Sequence, residues 1–186
     1  GLIITDSISS VYDRQPWSSA ATSWVDTVMR SGIPILGICY GHQMLADILG
    51  AAVAPNPMGR EIGVSTVEQI GNDPLFHGLP RVFPVIQTHV DSVLSCPRAT
   101  RVIAKNPQTP IQAIAHGAMV RGVQWHPEFT ADVITEYVLA RAELITAESG
   151  ADAVDKILAE IKPVASGTKI LRNFISHFLG ITSEAP

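Results

Sequence analysis

Ile33-Pro-Ile-Leu-Gly-Ile-Cys-Tyr-Gly-His-Gln-Met-Leu45 decides the fold. Ile33, Ile35, Leu36 and Ile38 form an apolar run of strand length. Met44, Leu45, Ile48 and Leu49 recur at the spacing of a helix inner face, which Gly50 can stop. Between them, Gly37-Ile-Cys-Tyr-Gly41 has the G-x-C-x-G spacing of a sharp strand-to-helix turn, the cysteine form of a nucleophile elbow. The two glycines leave room for close backbone packing. Cys39 stands at the tip, and the amides of the following helix are expected to favour its thiolate and lower its pKa.

Working outward, the chain alternates strand and helix patterns. Gly1–Ile4 reads as a short strand and Trp17–Met29 as a helix. A Pro/Gly-marked connection follows the elbow helix, from Pro55 to Gly63. Residues 63–70, 82–86, 100–105, 111–115 and 118–125 read as strands. The last third is helical, with Val133, Ile134, Tyr137, Val138, Arg141 and Leu144 on one face behind a Thr130 cap. Val154, Ile157, Leu158 and Ile161 share a second face; Ile170, Leu171, Phe174, Ile175 and Phe178 share a third. This order predicts an α/β domain with a mainly parallel sheet, helices on both faces and the site at the carboxyl ends of the strands.

Thiolate chemistry needs a base and a group that orients it. His126 and Glu128, in Gly122-Val-Gln-Trp-His-Pro-Glu-Phe129, supply both types, with Pro127 stiffening the link. Cys96 lies in a Ser-Cys-Pro turn and reads as structural or incidental. His77, His116 and His177 have no metal-ligand spacing, so no metal is expected. His42 reads either as support behind the site or as a helix-surface imidazole.

Composition sets limits. The 186 residues, 46% hydrophobic and 16% charged, suffice for one well-filled domain over 1–186. A net charge of −4 without a basic block provides no footprint for nucleic acid or an anionic membrane. No apolar run reaches the roughly 20 residues of a transmembrane helix, and no signal peptide is read at the start. Two cysteines, one wanted as a thiolate, suit a reducing compartment, so a cytoplasmic location is expected.

The elbow and the His-Pro-Glu stretch together resemble the class I (triad, G-type) glutamine amidotransferases. Arg60-Glu-Ile-Gly63, Asp73-Pro-Leu-Phe-His-Gly-Leu79 and Gln87-Thr-His-Val-Asp-Ser-Val93 are similar to stretches in stand-alone members related to the GMP synthetase glutaminase domain. The likeness runs from Gly1 to about Phe178. It implies a flavodoxin-like doubly wound fold and hydrolysis of glutamine to glutamate and ammonia through a Cys39 thioester, with His126 and Glu128 completing the triad. It also implies backbone oxyanion donors at Ser7 and Tyr40, and substrate contacts from Gln43 and from the backbone around His89, Val90 and Asp91. No cofactor is needed. The ammonia would pass to a separate synthetase, since no G-x-x-x-x-G-K-[ST] loop is present here. A γ-glutamyl hydrolase, or an impaired domain that binds glutamine or a partner, are the alternatives.

Two departures stand out. Members of the family begin with a strand, a helix and a second strand before the segment matching Gly1–Thr5. About 45 residues are therefore expected ahead of Gly1, because a parallel sheet lacking such a strand exposes unpaired backbone groups. Where the family has a small-residue turn of the S-G-G or T-G-S type, this chain has Thr5-Asp6-Ser7, so Asp6 replaces a glycine. A carboxylate there opposes a developing oxyanion unless its side chain turns away.

Overall fold

The computed structural model describes residues 1–96 and 99–181. Strand β1 (Leu2–Ile4) leads through Asp6 and a 3-10 turn (Val11–Asp13) to α1 (Pro16–Arg30). Strand β2 (Ile35–Ile38) then enters the elbow and α2 (Tyr40–Ile48). Next come β3 (Val53–Pro55), β4 (Glu61–Gln69), β5 (Val82–His89), β6 (Asp91–Val93), β7 (Thr100–Lys105), β8 (Ala113–His116) and β9 (Val120–Val123). The last part is helical: α3 (Ala131–Leu139), α4 (Ala142–Ser149), α5 (Ala153–Glu160) and α6 (Ser166–Asn173), which runs into a π-helical turn, Phe174–Phe178.

Seven strands form one sheet in the order β1-β2-β9-β8-β7-β4-β5, and β3 pairs with β6 in a small ribbon. The α/β, flavodoxin-like class agrees with the sequence reading, but the pairing is mixed. Among the described residues, β1–β2 and β2–β9 are parallel, whereas β4, β5, β7, β8 and β9 pair antiparallel. The links Asn106–Gln112 and Gly117–Met119 are too short for the crossover that parallel neighbours need. The short β3 and β6 lie in stretches that carry no clear strand pattern.

Alternate side chains of β2 feed two cores. Ile35 packs with Val25, Met44, Leu45 and Val120 on the α1–α2 face. Leu36 and Ile38 point to the other face, where Ile170 and Phe174 close over Phe83 and Trp125. Further along the sheet, Ile134, Val138 and Ile145 bury Ile86. The single helical face read over residues 133–144 is divided between α3 and α4, the break falling at Ala140–Arg141, where the Arg141 guanidinium stacks 3.6 Å over the Tyr137 ring. Thr130 caps α3 by accepting from the Val133 amide at 3.3 Å.

The three strands that run parallel decide where the chemistry sits. Ile4 lies opposite Gly37, and Ile38 opposite Val123. The chain segments leaving β1, β2 and β9 therefore emerge side by side, carrying Asp6, Cys39 and His126.

Candidate active site

Cys39 joins β2 to α2 with φ 49° and ψ −103°, a left-handed conformation that a side chain with a Cβ adopts only under restraint. Its amide is held by the Val123 carbonyl at 2.9 Å, and its own carbonyl accepts the Gln43 amide at 3.1 Å. The flanking glycines allow the turn to pack. A Cβ on Gly37 would lie 2.5 Å from the Gly41 backbone, and one on Gly41 would run into the Ile4 carbonyl.

His126 is buried to 1% exposure, and its ring bridges two partners. Nδ1 is 2.8 Å from Glu128 Oε1, and Nε2 is 3.0 Å from Thr88 Oγ1. The carboxylate can only accept, so Nδ1 carries a proton, and in the neutral ring Nε2 is the nitrogen that faces Thr88 with its lone pair. The ligating atoms of Asp6, Cys39 and His126 all lie within 4.8 Å of one another. Gln124 Nε2 approaches the Cys39 sulfur at 3.7 Å.

The expectation of an acidic Cys39 is overturned. Burial pushes the thiol well above its ordinary value, and the Asp6 carboxylate facing it adds to the rise; the Tyr40 amide pulls the other way and is outweighed. The helix N-terminus cannot offset a dry site beside a negative charge. Asp6 thus turns toward the sulfur, and its φ is not positive, so no backbone strain accompanies the substitution for glycine.

A cleft of about 390 Å³ opens over the sulfur, and Ser7, Tyr40, Gln43, His89, Val90 and Asp91 all border it. Tyr40 hydrogen-bonds through its hydroxyl to Ser18 Oγ at 2.6 Å. The Ser7 hydroxyl accepts from the Ser9 amide at 3.1 Å. Gln43 Nε2 donates to the Asp91 carbonyl at 3.0 Å and to Gln124 Oε1 at 3.2 Å. Val90 is exposed, with its carbonyl accepting the Asn56 amide at 2.8 Å. The Asp91 carboxylate accepts from the Tyr12 hydroxyl at 2.9 Å and from Ser10.

The His89 ring turns away from the cleft. Its Nδ1 is 2.9 Å from the Asp91 carbonyl and its Nε2 is 3.2 Å from Glu61. Glu61 also accepts from Asn106 and Thr109 at 2.6 Å each and from Gln112 at 2.8 Å. Burial raises the Glu61 carboxyl, but the bonds from His89, Thr109 and Asn106 prevail and hold it below the ordinary range.

His42 is fully buried, so the helix-surface reading falls. Burial, reinforced by the charge of His89, pushes it down to about 3, leaving a neutral imidazole packed on Gly122. Cys96 is exposed and donates to the Thr100 carbonyl at 3.2 Å, remote from the cleft. Thr88, Gln124 and Glu61 had no functional signal in the sequence: they sit in the quoted motifs, yet only the folded chain turns them on His126, Cys39 and His89.

Fold and site together define a class, α/β proteins that set an elbow cysteine opposite a histidine–carboxylate pair. The chain belongs to the glutamine amidotransferase class-I family, whose model matches residues 1–143. It is 42% identical over 112 residues to the glutamine-hydrolysing GMP synthase of Aeropyrum pernix, covering 60% of this chain and 22% of that protein. With the corresponding enzyme of Leifsonia xyli it shares 36% identity over 179 residues, 90% of this chain and 34% of the relative. The chain thus spans 22% to 34% of the length of these two curated relatives. A glutamine amidotransferase from Thermotoga maritima superposes with a TM-score of 0.81 at 23% identity, covering 96% of this chain and 78% of that one. A glutamine amidotransferase from Methylobacillus flagellatus reaches a TM-score of 0.77 at 20% identity, covering 96% and 75%. Among the described residues, no helix is long and apolar enough to cross a membrane.

Proposed function

We propose that this chain hydrolyses the side-chain amide of glutamine and passes the ammonia to a synthetase partner. The observation that carries the reading is that Cys39, which borders the cleft, stands beside His126, itself hydrogen-bonded to Glu128, in a member of this family. In the resting site the thiol is protonated. As the sulfur attacks the amide carbon, His126 Nε2 takes the thiol proton, and Glu128 steadies the resulting imidazolium. The amides of Ser7 and Tyr40 hold the oxyanion. His126 then returns its proton to the departing nitrogen, releasing ammonia and leaving a thioester. Water attacks the thioester while the same nitrogen accepts its proton. Glutamate leaves, and the thiol is restored. Gln43 and the Asp91 turn hold the amino-acid end of the substrate. The synthetase partner is supported by the glutamine-hydrolysing GMP synthases among the relatives.

A glutamine-derived diazoketone tests the nucleophile. It should alkylate Cys39 and spare Cys96, with glutamine protecting and Cys39→Ser abolishing both labelling and ammonia release. An adduct on Cys96 alone, or full turnover in Cys39→Ser, overturns the assignment.

A further inference from the structure

We propose that Asp6, Cys39 and His126 form a zinc site that locks the nucleophile. The three ligating atoms lie within 4.8 Å of one another, and Asp6 and Cys39 border the cleft. Sulfur, imidazole nitrogen and carboxylate oxygen form a donor set that suits Zn²⁺, whereas Mg²⁺ and Ca²⁺ call for oxygen alone. Tetrahedral zinc with bonds of 2.0–2.3 Å sets its ligands about 3.5 Å apart, so the group must close by about an ångström. Asp6 can supply the part of that movement that involves its own distances, because it is exposed while Cys39 and His126 are buried.

The surroundings are those of a built metal ligand. Glu128 holds the Nδ1 proton of His126 at 2.8 Å, which leaves Nε2 as the coordinating atom and fixes the ring. Thr88, 3.0 Å from that nitrogen, must turn its hydroxyl aside. On binding, the Cys39 thiol releases its proton to solvent as the S–Zn bond forms. Thiolate and carboxylate then neutralise the dication, and the charge that opposes Cys39 ionisation in the free site becomes a ligand charge. The fourth position opens on the cleft, for water or the carboxylate of an amino acid. Asp6 is the deciding residue, since a glycine at this position leaves only a cysteine–histidine pair.

Metal binding rests on the geometry alone; that the metal inhibits rests on the proposed glutaminase reaction. The whole chain is titrated with Zn²⁺ against a chromophoric chelator, and with Co²⁺ to read the thiolate-to-cobalt charge-transfer band. One ion per chain is expected, and Asp6→Ala and Asp6→Asn should each weaken binding by about ten- to a hundredfold, with circular dichroism confirming their fold. Cys39→Ser should abolish the charge-transfer band. Zn²⁺ should also shield Cys39 from iodoacetamide, whereas millimolar Mg²⁺ should not. Unchanged affinity in both Asp6 variants, or a charge-transfer band that survives Cys39→Ser, overturns the site. Zinc binding by a chain with no glutaminase activity upholds the site and removes only its inhibitory role; glutaminase activity indifferent to bound zinc removes the lock.

Discussion

Cys39 combines three things that rarely occur together: a strained backbone, near-complete burial and a carboxylate neighbour. The strained turn sets the sulfur at the edge of the cleft, and the other two favour its protonated form. In the proposed reaction Asp6 is the costly partner, because it faces the charge that would form on attack. Two unit charges at this range in an effective dielectric of about 20 interact by a few kcal/mol, and the exposure of Asp6 screens part of that. Asp6→Gly should therefore raise kcat by about tenfold and leave KM for glutamine nearly unchanged, since the repulsion exists mainly in the transition state. Steady-state ammonia release measures both; a fall in kcat would assign Asp6 a positive role in the reaction. Beside it, His126 and Cys39 act as one unit in the proposed reaction. His126→Ala should lower turnover about as far as Cys39→Ala, by roughly 10³-fold or more, with the double variant little worse. Glu128→Gln keeps the base but weakens its orientation, and should be milder. Near-normal turnover in His126→Ala would remove the triad.

At the scale of elements, the end of β5 and the start of β6 form the rim where the amino-acid end of a substrate would rest. Its shape is set from behind. The Glu61 carboxylate at the start of β4 gathers four side chains, and His89 relays it to the Asp91 carbonyl, on which Gln43 also bonds. Glu61→Ala would leave those donors buried without an acceptor, at a cost of about 3 kcal/mol. Thermal melts should show the loss, and kinetics should show KM for glutamine rising more than kcat falls. Glu61→Gln, which keeps an acceptor oxygen in place, should recover most of both. Equal kinetic constants in Glu61→Ala would mean that the rim is set by other contacts.

Across the whole molecule, the inner face of α2 rests on β9 through an imidazole that must stay uncharged. His42 is held at about 3 in the folded chain, against 6.5 as its ordinary value. The unfolded chain therefore binds more protons between these two pH values, so stability is full above pH 6.5 and declines as pH falls toward 3. From pH 7 to pH 5 this one group should remove about 2 kcal/mol. The depressed Glu61 acts in the same direction, but only at lower pH, below its unfolded value of 4.5. Denaturant titrations at pH 7 and pH 5 should thus show the loss, and His42→Gln should flatten it. An equally steep decline in that variant would locate the acid sensitivity elsewhere.

Local sequence determined the elements that depend on neighbours in the chain. The period of apolar residues over Ile33–Ile38 and Met44–Leu49, with the two glycines between, required a strand, a tight turn and a helix, although Ile33 itself falls outside β2 and is exposed. Thr130 and the Val133–Val138 spacing announced α3 in the same way. Cys39, His126 and Glu128 were legible as residue types at motif positions. Tertiary structure alone decided how those pieces meet. Short links forced β7, β8 and β9 into antiparallel pairing, while β1, β2 and β9 ran parallel and delivered their ends to one place. Thr88, Gln124 and Glu61 acquired partners far away in the chain, which no local pattern encodes. The thiol's protonation was settled in the same way. A helix N-terminus is visible in sequence, but the burial and the Asp6 carboxylate that outweigh it arise from strands brought together in space.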